Sequence, residues 1–264
     1  MESTGNKKEL ATHPPDAADQ ANKPIEDDAQ ESTNTLEPAD SEDTELNGEI
    51  QTHDDQGHVI TTSFFKNGRL DGESVTFSST GKIVQKAMFE KGKLNGPSLS
   101  YDENGRINQK ATFKDGKLHG DMILYENGKM RAKMTYREGF QDGEAVFYSE
   151  NETVSSIANY RMGKLEGESI HYDNEGRLLV KAPYKEGRLN GERIEYHPSG
   201  QIREVSHYKD NQLEGELLRY SDSGKIQERL FFKDGKQQGD KIEYDKKGRI
   251  KPKKNSTNKR LDRK

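Results

Sequence analysis

The feature that most constrains this chain is a glycine that recurs about every 24 residues. The intervals between successive copies are all 24 residues, except for one interval of 23. The nine glycines are Gly48, Gly72, Gly96, Gly120, Gly143, Gly167, Gly191, Gly215 and Gly239. A fixed period of this length is the signature of a repeat architecture, so the chain is predicted to be built from about nine copies of one unit.

Aromatic and acidic residues keep a fixed place in each unit. An acidic residue follows the glycine in eight of the nine copies, and Pro97 is the exception. One ring stands five residues after each glycine, with His53 in its place in the first copy: Phe77, Tyr101, Tyr125, Tyr148, Tyr172, Tyr196, Tyr220 and Tyr244. Another stands seven residues before each glycine from the second copy onward: Phe65, Phe89, Phe113, Tyr136, Tyr160, Tyr184, Tyr208 and Phe232.

Two turn signals punctuate each unit, and polar and apolar residues alternate between them. Stretches such as KDGK and DENGR carry the glycine that tight turns need. Where other units have this glycine, one has Asn211, which tolerates the left-handed region best among other residues. Each unit is therefore predicted to be a hairpin. The apolar offsets of three, five, fifteen and seventeen from the glycine are all odd, which predicts one shared face. The Leu two places before the glycine breaks this parity and predicts a bulge there.

The unit Y-K-x-G-[KR]-L-x-G-E-x-x-x-Y-x-x-x-G-[KR]-[IL], nearly complete from Tyr184 to Gly200, resembles the MORN repeat and more closely its bacterial variant. The resemblance covers roughly residues 44–250. It implies an elongated, twisted antiparallel meander and a binding module, and the family includes a bacterial group classed as antitoxins. Gln141 and Gln237 depart from the pattern by replacing the Leu. We therefore expect an all-β, single-layer antiparallel meander of about nine hairpins.

Charge divides the chain into three parts. Residues 1–45 hold 13 Asp/Glu against three Lys and almost no large apolar side chains, which predicts a disordered acidic tail that is dispensable for folding. Residues 46–250 form the repeat domain, whose charges nearly cancel. Residues 251–264 hold seven Lys/Arg against one Asp and are predicted to be a basic disordered tail. Because no apolar run suggests a leader or a membrane span, a cytoplasmic location is expected.

The sequence offers no pattern typical of catalysis, and we expect no catalytic, metal-binding or cofactor-binding residues. The chain has no Cys, and its seven His lack ligand spacing, including the neighbouring His53 and His58. The repeated acidic residue after each glycine is interpreted as a charge ladder with the Lys and Arg of neighbouring turns.

The rings have two interpretations. They are the only core available to a one-layer sheet, since apolar residues make up only 28% of the chain. They could also bind a partner, and central rings would dominate such an interface. We expect a protein partner, with a toxin as one candidate, bound through Tyr125, Tyr148, Tyr172 and Tyr196. Neither nucleic acid nor a small-molecule substrate is expected. The alternative is a membrane-surface module that uses the basic C-terminal tail.

Overall fold

The computed structural model describes residues 46–252, so the predictions for residues 1–45 and 253–264 lie outside the described residues. The described residues form one antiparallel sheet of 19 strands and contain no helix. The strands are β1 Gly48–His53, β2 Val59–Lys66, β3 Arg69–Phe77, β4 Ile83–Glu90, β5 Lys93–Tyr101, β6 Ile107–Lys114, β7 Lys117–Glu126, β8 Lys129–Arg137, β9 Phe140–Tyr148, β10 Val154–Arg161, β11 Lys164–Leu165, β12 Gly167–Tyr172, β13 Leu178–Lys185, β14 Arg188–Leu189, β15 Gly191–Tyr196, β16 Ile202–Lys209, β17 Gln212–Tyr220, β18 Ile226–Lys233 and β19 Lys236–Glu243.

The strands pair in chain order, which makes the sheet a meander. β1 pairs with β2, β2 with β3, and the pattern continues to the pairing of β18 with β19. Two strands are interrupted at Glu166 and Asn190, so β11 with β12, and β14 with β15, each act as one strand against their neighbours. The predicted all-β meander is confirmed.

Two-residue hairpin turns line one edge of the sheet, which we call the turn edge. In the turn at residues 67–68, Asn67 and Gly68 both have positive φ, as a type I′ turn requires. The equivalent turns lie at residues 91–92, 115–116, 138–139, 162–163, 186–187, 210–211 and 234–235. Asn211 has φ 69°, as predicted from its place in the repeat. The loops between the two strands of each unit line the opposite edge, called the loop edge.

The bulge predicted at the repeat glycine is confirmed. Leu70 pairs with Phe65 and Ser74 with Ser63, so two steps along β2 match four steps along β3. The repeat glycine also approaches the preceding strand closely. At Gly191, for example, φ is 122°, and an added Cβ would lie 2.9 Å from the Pro183 side chain. Only glycine enters this conformation without steric cost.

The prediction that all four apolar positions share one face is wrong. Gly72 pairs with Phe89, which lies seventeen residues later, so an odd offset on one strand lies opposite an even offset on the next. Val75, three residues after the glycine, therefore pairs with Lys86, whereas Ala87, fifteen residues after it, pairs with Ser74. The residues at offsets fifteen and seventeen occupy one face, which we call the core face. The residues at offsets three and five occupy the other, the tyrosine face.

The core face buries a row of mostly small side chains beneath the rings at offset seventeen. Met134 and Ala145 are fully buried there, and Phe113, Tyr136 and Phe147 belong to the same cluster. Within residues 46–252 the row of buried side chains at offset fifteen, or fourteen in the short unit, is Ser63, Ala87, Ala111, Met134, Ala158, Ala182, Ser206 and Leu230. Small residues let the flanking rings lie close to the sheet, so a one-layer sheet obtains a core from its own side chains.

Candidate partner-binding face

The tyrosine face carries the rings that stand five residues after each repeat glycine. The side chain of Lys110 establishes their orientation, because its Nζ lies 5.5 Å from the ring centroid of Tyr125. Lys110 pairs with Leu99 and Ile123, while its neighbour Ala111 is buried on the core face. Tyr125 and the aliphatic residues at offset three are therefore on the side opposite to the core.

A second bulge, which the sequence analysis did not predict, places an aliphatic residue beside each of these rings. Phe77 pairs with Ile83 and Thr76 with Gln85, so Ile83 and Val84 both lie opposite one residue of β3. The same shift recurs along the sheet. The outcome is an apolar strip in which rings alternate with aliphatic side chains along the tyrosine face.

The structure brings the four predicted residues together in this strip. They occupy four consecutive units and are half-buried. Each pairs with an apolar residue on the next strand: Tyr125 with Met130, Tyr148 with Val154, Tyr172 with Leu178 and Tyr196 with Ile202. Because two strands separate successive rings, they lie about 10 Å apart, and the four span about 30 Å.

Charged side chains border the strip, but their pairing differs from the prediction. Where the acidic residue after the glycine forms an ion pair, as Asp121, Glu168 and Glu216 do, the partner is a mid-strand cation and not a Lys or Arg of the turns. Lys133 lies 2.9 Å from Asp121, and this hydrogen bond raises the pKa of the Lys133 ammonium. Lys181 lies 3.8 Å from Glu168 in the same arrangement. Exposed pairs of this kind contribute little to stability because solvent screens them, so they order the surface more than they stabilise the fold.

The Arg229–Tyr244 contact shows that rings also join these charge pairs. The pKa of the Arg229 guanidinium is raised first by the Glu216 carboxylate and further by a hydrogen bond with Tyr244. Arg229 also lies 4.9 Å from the ring centroid of Phe231. Cations therefore cover part of the aromatic surface on this face, and a partner must displace them or use them.

Two exposed apolar residues at the turn edge were missed by the sequence analysis. Phe140 is 50% exposed and Met162 is 58% exposed. An added Cβ on Gly163 would lie 3.8 Å from the Phe140 ring, which places Phe140 against the turn that contains Met162. The sequence did contain a signal for Phe140, because most other units carry Lys or Arg at that place in the repeat.

Ionisable residues form few arrangements that suggest chemistry. Within residues 46–252 no group of three or more His, Asp or Glu side chains is arranged to hold a metal ion. His58 Nδ1 lies 3.0 Å from Asp54 Oδ2 inside a loop that also uses Asp54 to accept backbone N–H groups. On the core face Ser169 Oγ lies 3.3 Å from His171 Nε2, but Ser169 is only 1% exposed. The first pair is exposed but belongs to the hydrogen bonding of its own loop, whereas the second is largely buried.

Four 22-residue segments of the chain match the family model described as the MORN repeat variant: residues 94–115, 165–186, 189–210 and 213–234. Each begins at the Leu two places before the repeat glycine and ends in the following turn of the turn edge. The chain contains MORN repeats of the variant type. The segments between these matches have the same pattern of strands, bulges and turns. MORN repeats form scaffolds for interactions with proteins or with membrane lipids.

Solved structures similar to this chain contain much longer chains. They include the TcdB2-TccC3-Cdc42 crystal structure, with 12% identity and a TM-score of 0.21, and the Photorhabdus luminescens Tc holotoxin pore, with 13% identity and a TM-score of 0.21. The comparison covers 74% of this chain and 13% of each of those chains. A likeness this slight does not bear on function. A comparison with curated proteins found no significant match.

Within residues 46–252 no helix has the length and apolar character needed to cross a bilayer.

Proposed function

We propose that this MORN-repeat chain is a non-enzymatic scaffold that binds a protein partner along the tyrosine face, centred on Tyr125, Tyr148, Tyr172 and Tyr196. The observation that carries the proposal is the separation of the two ring rows onto opposite faces. The core face holds its own row of rings, of which Phe113, Tyr136 and Tyr184 are buried, so the Tyr strip is not needed to fill the core. A strip of half-buried rings alternating with aliphatic residues then has the composition of a protein interface.

The dimensions of the strip fit a protein partner better than a small ligand. The four rings span about 30 Å, and a specific protein interface involves about 20–30 residues on each side. A small ligand instead needs a concave pocket that buries most of its surface. Tyrosine rings supply large contact areas at a low entropic cost, and central rings dominate binding energy in most interfaces.

The mode of action that we propose is occlusion. A chain that covers a partner along a long strip can neutralise it without chemistry, which is how an antitoxin-like protein acts on a toxin. The alternative candidate is attachment to an anionic membrane through the basic C-terminal segment, in which Lys251 is followed by six more Lys and Arg residues. Each such cation near an anionic surface contributes about 1 kcal/mol.

Binding by ring-deficient variants tests the proposal. The immobilised full chain would capture partners, and the dissociation constant of the purified partner would be measured by calorimetry. We expect Tyr148→Ser together with Tyr172→Ser to weaken binding at least a hundredfold, because two central rings at about 2 kcal/mol each are lost. The matched control changes Tyr101 and Tyr220 to Ser on the same face near the ends, and it should weaken binding much less.

Removal of residues 251–264 separates the two candidates. The proposal expects binding to survive this deletion, and it expects no retention on vesicles that contain anionic lipid. Loss of all binding after the deletion, with unchanged binding by the Tyr148 and Tyr172 variant, would contradict the proposal and favour a membrane-surface or purely electrostatic role. Circular dichroism must first show that each variant keeps its sheet.

A further inference from the structure

The turn edge is a continuous ridge, because each hairpin turn is hydrogen-bonded to the unit before it. The N–H of Gly92 donates to the carbonyl of Leu70 at 2.7 Å, and the N–H of Gly116 donates to the carbonyl of Leu94 at 2.8 Å. The same bond recurs at every later turn of this edge up to Gly235, which donates to Leu213. Successive turns are therefore held about 10 Å apart, the width of two strands, and their side chains form fixed rows.

The first three turns of this ridge carry an excess of positive charge. Residues 66–71, 90–95 and 114–119 contain six Lys and Arg and three acidic residues, all on an exposed edge. Lys91 lies 3.6 Å from Glu90, and Lys117 lies 3.9 Å from Glu138. The other four have no ion pair within residues 46–252: Lys66, Arg69, Lys93 and Lys114. This surface is therefore suited to an anionic ligand.

The acidic N-terminal part of the chain joins the sheet at this same place. The carbonyl of Leu46 accepts the N–H of Gly68 at 3.0 Å, and Asn47 Oδ1 accepts the N–H of Asn67 at 2.9 Å. Residue 46 thus lies beside the first turn of the ridge. The preceding residues 26–45 contain nine Asp and Glu and no Lys or Arg. A strongly acidic segment is therefore tethered to the most basic part of the edge.

We infer that residues 26–45 occupy the first three turns of the turn edge as an internal anionic ligand. The reach fits, since a flexible segment of 20 residues has an end-to-end distance of about 25 Å, and the first and third turns lie about 20 Å apart. Tethering supplies an effective concentration in roughly the millimolar range. The segment shields Lys66, Arg69, Lys93 and Lys114 from other polyanions.

A single spin label tests the inference in the full chain. Because the chain has no Cys, Thr35→Cys introduces one labelling site in the acidic segment. At low salt we expect the label to reduce the amide signals of Asn67, Gly92 and Gly116 several-fold and to leave the loop-edge amides of Gly81 and Gly105 unchanged. The reduction should disappear at about 0.5 M salt, where the Debye length is only a few ångströms.

Two charge variants complete the test. Changing Lys66, Arg69, Lys93 and Lys114 to Gln should abolish the reduction. The matched control changes four exposed cations of the later turns to Gln, and it should preserve the effect: Arg161, Lys185, Lys209 and Lys233. An equal reduction at both edges, no reduction at low salt, or a reduction that persists after the nine acidic residues are replaced by Gln and Asn would overturn the inference. No binding partner enters this experiment, so its outcome is independent of the proposed function.

Discussion

The imidazole of His171 lies on the core face, where it is largely buried and has one charged residue, Arg193, nearby. It pairs with Ser156 on one side and Val180 on the other, and its Nε2 lies 3.3 Å from Ser169 Oγ. Burial lowers the pKa of His171 first, and the nearby Arg193 guanidinium lowers it further. Glu195 pairs with Arg193 and compensates part of that charge. The folded protein therefore holds His171 neutral.

The free energy of unfolding should decrease when the His171 imidazole becomes protonated. Because the pKa of His171 is lower in the folded than in the unfolded state, the unfolded state binds more protons, and stability is lost as pH falls through about 6.5 toward the folded pKa. We expect the free energy of unfolding, measured in urea, to decrease from pH 7.5 to pH 5.5. The variant His171→Gln should show a smaller decrease. An identical pH dependence in both proteins would contradict this role for His171.

Within one repeat, the two rings should differ in their contribution to stability. Tyr184 is 8% exposed on the core face, whereas Tyr172, in the same unit, is half-buried on the tyrosine face. Tyr184→Ala should cost about 3–5 kcal/mol, as for a buried ring. Tyr172→Ala should cost only about 1–2 kcal/mol, in proportion to the smaller apolar area that it buries. Urea unfolding of both variants measures the difference, and equal losses would argue against the assignment of the two faces.

The sequence was sufficient to predict the hairpin unit, its turns and the bulge at the repeat glycine. These features depend on local residues, such as Asn211 in a left-handed turn position and Leu70 two places before its glycine. The assignment of faces failed because it depends on how Gly72 registers against Phe89, and register is a property of two strands together. The second bulge also had no sequence signal, because Ile83 is an ordinary strand residue.

Part of the candidate partner-binding surface could be proposed from the sequence, and part could not. The four Tyr residues were identifiable from their repeated place, and the structure does bring them into one strip. Phe140 and Met162 were missed because a repeat analysis identifies the residues that the units share, whereas these two differ from the residues at the same places in other units. The stacking of turns puts Phe140 against Gly163 of the next unit.

At the scale of the whole molecule, the sheet is held together by contacts between neighbouring strands, and no single core joins all of them. Each strand contacts mainly the strands before and after it, so stability is approximately a sum over units and their interfaces. The buried side chains are nevertheless uneven. The larger cluster lies in β6 to β9 around Met134, while the side chains of the terminal strands β1 and β19 are mostly exposed. We therefore expect the backbone amides to be best protected where most side chains are buried and least protected at the two ends of the sheet.

Hydrogen exchange of the backbone amides tests that expectation. We expect the slowest exchange in β7 to β9 and the fastest in β1 and β19. Met134→Ala, which removes a fully buried side chain, should cost about 2–5 kcal/mol and should increase exchange mainly in β6 to β10. Met162→Ala is the matched control, because that side chain is 58% exposed, and its exchange pattern should equal that of the unmodified chain. A loss of protection that is uniform from β1 to β19 would mean that the sheet unfolds as one unit, since only a fully cooperative structure spreads a local defect over its whole length.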